Sequence, residues 1–303
     1  MKQSSLLSKQ QRFEGVFLPS TKDLRDRIRS VSNTAKVTGA MQMIAASKMT
    51  RAQNMVANSR PYFETIHNML TKVTNSLNNQ EILKGVKLLQ SREINKTLVL
   101  FITPDRGLAG ALVGNLTKAV GEFISKSGSD ISFITVGKKG DRYLSRSNEN
   151  LFGNFSVSDR PTFNETLQIS NTIIENYENE NFDKVVIVYA KFINTAVQKI
   201  QAHQVLPIET ESDDENSNDY IFEPQVVSLL RSIAPKYVQN QVFHSVLEAF
   251  ASEHSARMVA MQNATDNANE LVEGLTLDLN KARQESITGE LLDIVGGVAA
   301  LEK

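Results

Sequence analysis

From Ala249 to Lys303 the chain contains no proline, and its small or apolar residues fall alternately four and three positions apart. Counted from Leu247, the stripe runs Ala251, His254, Met258, Met261, Thr265, Ala268, Val272, Leu275, Leu279, Ala282. A second phase, offset by one residue, continues through Ile287, Leu291, Ile294, Val298 and Leu301. Such spacing keeps one seam of a helix turned toward a partner helix. A helix of about 60 residues is about 90 Å long, too long for the interior of one compact domain. The segment must therefore act as a lever, a spacer or a shaft.

The other end of the chain carries the same signal. After Pro19, Ser20 or Thr21 can accept the first free N–H groups of a helix, and Asp23 suits its positive end. The stripe Leu24, Ile28, Val31, Ala35, Thr38, Gln42, Ala45, Met49, Ala52, Val56 again alternates four and three. Two long helices at opposite termini can pair as an antiparallel coiled coil, with the middle of the chain reversing direction. The alternative is that each packs on a separate partner or forms an intermolecular zipper. Alanines replace leucine and isoleucine at Ala35, Ala45, Ala52, Ala251, Ala268 and Ala282, so the backbones can approach closely. That suits a weak coiled coil, or a narrow rod that something must surround. Pro61 is expected to end or kink the first helix, although YFETIHNMLTKVTNSL beyond it still has helical character.

Between the heptads the period changes. Thr97–Thr103, Ile131–Gly137 and Asp183–Phe192 read as buried strands, with Thr195–Ile208 as a candidate fourth. Helices are expected after the PDRGLAG turn and over Glu165–Asn179. Strands alternating with helices indicate a small Rossmann-like α/β domain with a mostly parallel sheet. Glu209–Asp219 is acidic and lacks apolar residues, which predicts a surface loop, and Pro224 and Pro235 punctuate the entry to the last helix. The expected fold class is α/β: a long antiparallel coiled coil of the terminal helices plus this domain. Its expected divisions are an extension over 1–20, a helix over 21–80, the α/β domain over 95–208, an acidic loop over 209–223 and a helix over 224–303.

Composition excludes more than it proposes. The net charge of -1 gives no global pull toward nucleic acid or anionic membrane. The absence of cysteine excludes a disulfide framework and thiolate metal chemistry. No run reaches the roughly 18 apolar residues of a membrane span. Residues 1–20 lack the apolar core of a secretory signal and read as a short extension rather than a transit peptide. Gly107, Gly110 and Gly114 do not have dinucleotide-fingerprint spacing, and no G-x-x-x-x-G-K-[ST] or G-x-S-x-G occurs. Gly137-Lys138-Lys139-Gly140 reads as a surface turn. His67, His203, His244 and His254 lack metal-ligand spacing, and His254 on the seam reads as a register-setting polar residue. The sequence thus offers no self-contained active site, no metal site and no cofactor site. A coiled-coil adaptor and a small-molecule enzyme remain as other readings, the second weakened by these failed motifs.

Four stretches carry a resemblance. IRSVSNTAKVTGAMQMIAASKM (Ile28–Met49), PDRGLAGAL (Pro104–Leu112), KFINT (Lys191–Thr195) and the closing EAFASEHSARMVAMQNATDNA … NKARQESITGELLDIVGGVAAL resemble, in order and spacing, the gamma subunits of rotary F-type ATP synthases. The resemblance extends from Thr21 to the end. Three positions depart from the usual pattern: Val298 stands where alanine is usual, Gly39 where a basic residue is frequent, and Ala109 where cysteine is common. The cysteine-bearing insertion of redox-regulated chloroplast members is absent.

The resemblance implies a central-stalk rotor with no catalytic site of its own, one copy per complex. Its terminal helices would form a shaft inside a ring of alternating alpha and beta subunits, and its α/β domain a foot against epsilon and the membrane c-ring. Proton flow through the ring would turn the shaft, driving ATP synthesis on beta, and the same coupling would regulate ATPase activity and proton flow. Motif position implies that Met41, Gln42 and Lys48 face moving parts of beta. It also implies that Arg257, Gln284, Thr288 and Glu290 serve coupling or polar contacts to the surrounding ring. On the residues alone, Gln284 and Thr288 share a helix face and could form a polar catch, or belong to an ordinary solvated face. The apolar, glycine-containing end Leu291–Leu301 fits a low-friction bearing, or an ordinary amphipathic helix end. The implied location is peripheral, on the cytoplasmic side of a bacterial-type cell membrane, with an organelle inner membrane as the second reading.

Overall fold

The computed structural model of the chain describes residues 20–75, 85–209 and 226–301. The expected extension and acidic loop lie outside these residues, except for Ser20 and Glu209. Helix α1 spans Thr21–Asn75, and the last helix, α5, spans Val226–Leu301. Between them come a short 3-10 turn (Lys87–Leu89), β1 (Lys96–Ile102), α2 (Leu112–Lys126), β2 (Asp130–Val136), α3 (Lys138–Arg146), β3 (Asn150–Phe155), α4 (Phe163–Glu178), β4 (Lys184–Phe192) and β5 (Gln198–Leu206).

The helices expected over 21–80 and 224–303 each contain a proline that does not stop them. Pro61 lies inside α1 and Pro235 inside α5, and neither ends its helix. Each proline removes one backbone donor, but burial of the flanking faces outweighs that loss. Ile66, Leu70 and Val73 follow Pro61 into a core, as Ala234 and Val238 do around Pro235. The Pro61 carbonyl also accepts from the Thr65 hydroxyl at 2.7 Å.

The chain forms two compact units, residues 40–262 and residues 1–39 with 263–303. In the larger unit a five-stranded sheet has the order β3-β2-β1-β4-β5. All pairings are parallel except β4 with β5, where Val188 faces Ala202 in an antiparallel ladder. Strands β1, β2 and β4 are buried almost throughout because both sheet faces are covered. Leu98, Leu100 and Ile102 point into a cluster with Ile173 of α4, Leu70 of α1 and Val242 of α5. Val99 and Phe101 point the other way, toward Leu116 and Val120 of α2 and Leu144 of α3.

Strand β3 and helix α3 are not expected from the sequence, and the surface turn at Gly137–Gly140 is overturned. Gly137 is the N-cap of α3, with φ of 98°. A Cβ there would lie 1.9 Å from the Thr103 carbonyl oxygen, so only glycine admits this crossing. Strand β3 alternates half-buried and exposed residues at the sheet edge, without the long apolar run that marks β1, β2 and β4.

In the smaller unit the two helix ends pair. Ser20 caps α1: its Oγ accepts from the Asp23 N–H at 3.2 Å, and its own hydroxyl donates to the Asp23 carboxylate at 2.8 Å. The Thr38 and Thr265 hydroxyls are 2.7 Å apart. In the larger unit, on the same two helices, Gln42 donates to Gln262 at 3.0 Å. A step forward on α1 is thus a step backward on α5, and the pairing is antiparallel. Every residue of the α1 stripe from Leu24 to Val56 is buried or half-buried, as is every residue of the α5 stripe through Ala282. Ala35 and Ala268 are only 7% and 6% exposed, as seam positions between paired helices are expected to be.

Candidate functional site

The residues singled out by motif position fall into two groups. Met41, Gln42, Lys48 and Arg257 lie in the larger unit; Gln284, Thr288 and Glu290 lie in the smaller.

The first group gathers where α1 and α5 meet the loop that follows β1. Thr103 follows that strand, its N–H donating to the Val136 carbonyl at 2.8 Å. The loop then turns through Leu108 and Gly110, both with positive φ (61° and 57°). Gly110 passes close to α5, since a Cβ on it would sit 3.7 Å from that of Ala260. Arg257 is almost wholly buried and anchors the loop to α5. Its guanidinium donates to the Glu253 carboxylate at 2.8 Å and reaches the carbonyls of Arg106 and Gly107 at 3.4 Å. Burial raises the Glu253 carboxyl above its usual range, with Arg257 opposing that rise.

Lys48 forms an ion pair at 2.5 Å with Asp159 in the connection between β3 and α4. That hydrogen bond is the main cause lowering the Asp159 pKa, against a smaller opposing effect of burial. Met41 is half-buried beside the same loop, and Gln42 is held by Gln262. The neighbours Met43 and Ile44 are 69% and 58% exposed, so this stretch of α1 presents apolar side chains outward. His254, one turn before Arg257, is 5% exposed, and burial with the charges of Arg257 and Lys48 lowers its pKa to about 4.

An α/β sheet invites comparison with nucleotide sites, where a helix N-terminus receives a phosphate. Here those donors are already used. Lys138 N–H donates to Asp105 at 2.9 Å, Lys139 N–H to the Pro104 carbonyl at 3.2 Å, and Gly140 N–H to the Thr103 hydroxyl at 2.8 Å. Among the described residues no cluster of three or more His, Asp or Glu side chains could hold a metal ion, and no helix is long and apolar enough to cross a membrane.

The second group stands on the solvent side of α5. Every residue from Arg283 to Val298 is exposed. The Thr288 hydroxyl donates to the Gln284 backbone carbonyl at 2.8 Å, leaving the Gln284 amide turned outward, while Ser286 reaches Glu290 at 3.5 Å. Sequence reading missed Asp159, Arg106 and Glu253. The i, i+4 spacing of Glu253 and Arg257 was a usable signal. Asp159, far from Lys48 in sequence, gave none.

Comparison with known proteins identifies the family. Residues 20–301 match the family model described as ATP synthase. The chain is 46% identical over 280 residues to the ATP synthase gamma chain of Dehalococcoides mccartyi, covering 92% of this chain and 98% of that one. It is 40% identical over 290 residues to that of Chloroflexus aurantiacus, covering 94% and 99%. Among solved structures, a chain of the OSCP/F1/c-ring part of the Euglena gracilis mitochondrial ATP synthase aligns with TM-score 0.66 at 20% identity, covering 93% of this chain and 94% of that one. A chain of the central stalk and c-ring of the Tetrahymena thermophila enzyme aligns with TM-score 0.59 at 22% identity, covering 75% and 99%. The structural matches establish a shared fold.

Proposed function

The chain belongs to the ATP synthase gamma-chain family, and from that premise we propose how its geometry works in the enzyme. It is a non-catalytic subunit of the complex. It forms the central stalk, with the paired helices as the shaft inside the alpha and beta subunits and the sheet-bearing unit against epsilon and the c-ring. Rotation driven by the c-ring presents different faces of the shaft to each beta subunit in turn. Each site is thereby taken through states of different affinity for ADP, phosphate and ATP, a coupling of distant sites by a moving element. The chain acts at the membrane as a peripheral protein, and the bacterial relatives favour the cytoplasmic face of the cell membrane.

One observation carries this reading: α5 continues as helix beyond Ala282 with every side chain to Val298 exposed, including Leu291, Leu292, Ile294 and Val295 at 58–66%. An isolated helical end in water is marginal and does not hold apolar residues outward without a surface to receive them. A sleeve formed by the surrounding subunits supplies that surface. Gln284, Thr288 and Glu290 sit at the base of this end and act as polar contacts to the ring, while Met41, Gln42, Lys48 and Arg257 serve contacts to beta and coupling from the larger unit. The test is reconstitution with alpha and beta. The chain is expected to restore ATP hydrolysis, and Gln284→Leu with Thr288→Val to weaken coupling of hydrolysis to proton pumping. Nucleotide turnover by the isolated chain would overturn the non-catalytic assignment, and unchanged coupling would remove the two residues from the contact.

A further inference from the structure

Where the sheet packs on the long helices, Leu98, Leu100 and Ile102 share a core with Val242 and Val246 of α5. A buried carboxylate interrupts that core. Glu248 of α5 is 5% exposed, and its Oε2 accepts from the Tyr189 hydroxyl of β4 at 2.9 Å. The same hydroxyl accepts from the Gln201 side-chain amide of β5 at 2.8 Å. Tyr189 and Gln201 are register partners in the antiparallel pair at the sheet edge. The other oxygen of Glu248, Oε1, lies 3.5 Å from Nε2 of His244, one turn earlier on α5. The His244 ring stacks in turn on Phe63 of α1, with centroids 5.2 Å apart and planes 8° from parallel. One line of contacts thus runs from the sheet edge through α5 to α1, all within the larger unit.

Burial pushes the Glu248 carboxyl up, but the hydrogen bonds from His244 and Tyr189 and the charges of His244 and Lys191 outweigh it and hold it below its usual range. Burial first, and then the Glu248 charge, push the Tyr189 phenol well up, so it remains a donor. Burying an ion is costly, and apolar residues of similar volume are often as stable or more so. Stability alone therefore does not call for a carboxylate here. What a carboxylate adds is direction: apolar burial is non-directional, whereas a hydrogen bond weakens steeply out of line.

We propose that Glu248 is a positioning residue of the rotor: its two oxygens, facing Tyr189 and His244, fix the angle at which the sheet sits on α5, so that sheet and α5 turn as one body. The inference rests on the rotor reading and names the residues that stiffen the joint.

The test uses the full chain assembled with immobilised alpha and beta. A probe is attached at Lys118→Cys on α2, an exposed position in a chain with no cysteine of its own. During pauses in ATP-driven rotation, the angular spread of the probe reads the stiffness between the sheet and the immobilised ring. Tyr189→Phe removes one hydrogen bond to a charged acceptor, which shifts the balance of seated and unseated sheet about tenfold, and is expected to broaden the spread. Glu248→Gln keeps an oxygen that can accept from Tyr189 and is expected to broaden it less. Leu144→Val, a truncation in the core on the opposite sheet face, is expected to lower the urea midpoint without broadening the spread. The inference alone is overturned if the wild-type probe turns but Tyr189→Phe leaves the spread unchanged, or if Leu144→Val broadens it as much. A wild-type probe that never turns overturns the rotor reading, and the inference with it.

Discussion

Along α5 the residues Ala268, Val272, Leu275, Leu279 and Ala282 are shielded by the facing helix, whereas Ile287, Leu291, Ile294 and Val298 of the same helix are 48%, 58%, 63% and 52% exposed. The two stretches have similar apolar spacing and differ in what faces them. Thr38 opposite Thr265 puts the start of α1 near Ala282, so the partner helix ends where the shielded stripe ends. A Cβ on Gly289, Gly296 or Gly297 in the exposed stretch would meet no atom within 4 Å, so no neighbour among the described residues requires glycine there. Among the described residues, the shielded stretch is covered by α1 and the exposed one by nothing.

If that contrast is correct, perturbations of equal chemistry have unequal effects. Glu253→Ala, which leaves Arg257 buried without its partner, is expected to cost about 3 kcal/mol in urea unfolding. Glu290→Ala in the exposed stretch is expected to stay within about 0.5 kcal/mol. Next in size is a pH effect. His254 has a pKa of about 4 in the folded chain, below the ordinary 6.5, under burial and the charges of Arg257 on α5 and Lys48 on α1, with Asp159 opposing. Between those values the unfolded chain binds more protons, so stability falls as pH drops from about 6.5 to about 4, by on the order of 2 kcal/mol from this group. In His254→Gln that part of the slope is expected to vanish; an unchanged slope assigns it elsewhere.

Smaller still, Gly296→Ala is expected to slow amide exchange in the last turns by about 1 kcal/mol equivalent without moving the unfolding midpoint. The smallest effect concerns bulk itself. Leu291→Ala with Ile294→Ala is expected to change the stability of the isolated chain by less than about 0.5 kcal/mol, although comparable truncation at buried Leu230 costs about 2–5 kcal/mol. A large loss from the double variant would mean that the exposed end packs within the chain after all.

The paired helices were legible because their heptad stripes extend over many turns, and β1, β2 and β4 because a strand buried on both faces is apolar at every position. Strand β3 was not, since an edge strand such as Asn150–Phe155 mixes Gly153 and Asn154 with its aromatics. Helix α3 was hidden by GKKG, which has the composition of a turn. Its glycines are there because Thr103 and Phe101 crowd Gly137 and Gly140, a tertiary fact with no local trace. The local penalty of the prolines is likewise offset by the core around Leu70 and Val238. At the candidate site, motif position pointed to Lys48 and Arg257. Their partners differed in legibility: Glu253 lies one turn away on the same helix, while Asp159 is brought in only by the fold.

The central claim is mechanical, and observing motion tests it most directly. With alpha and beta immobilised and a probe fixed to an exposed position of the sheet-bearing unit, ATP hydrolysis is expected to turn the probe in one direction in discrete steps. Steady hydrolysis with a stationary probe, the chain being present in the complex, would contradict it.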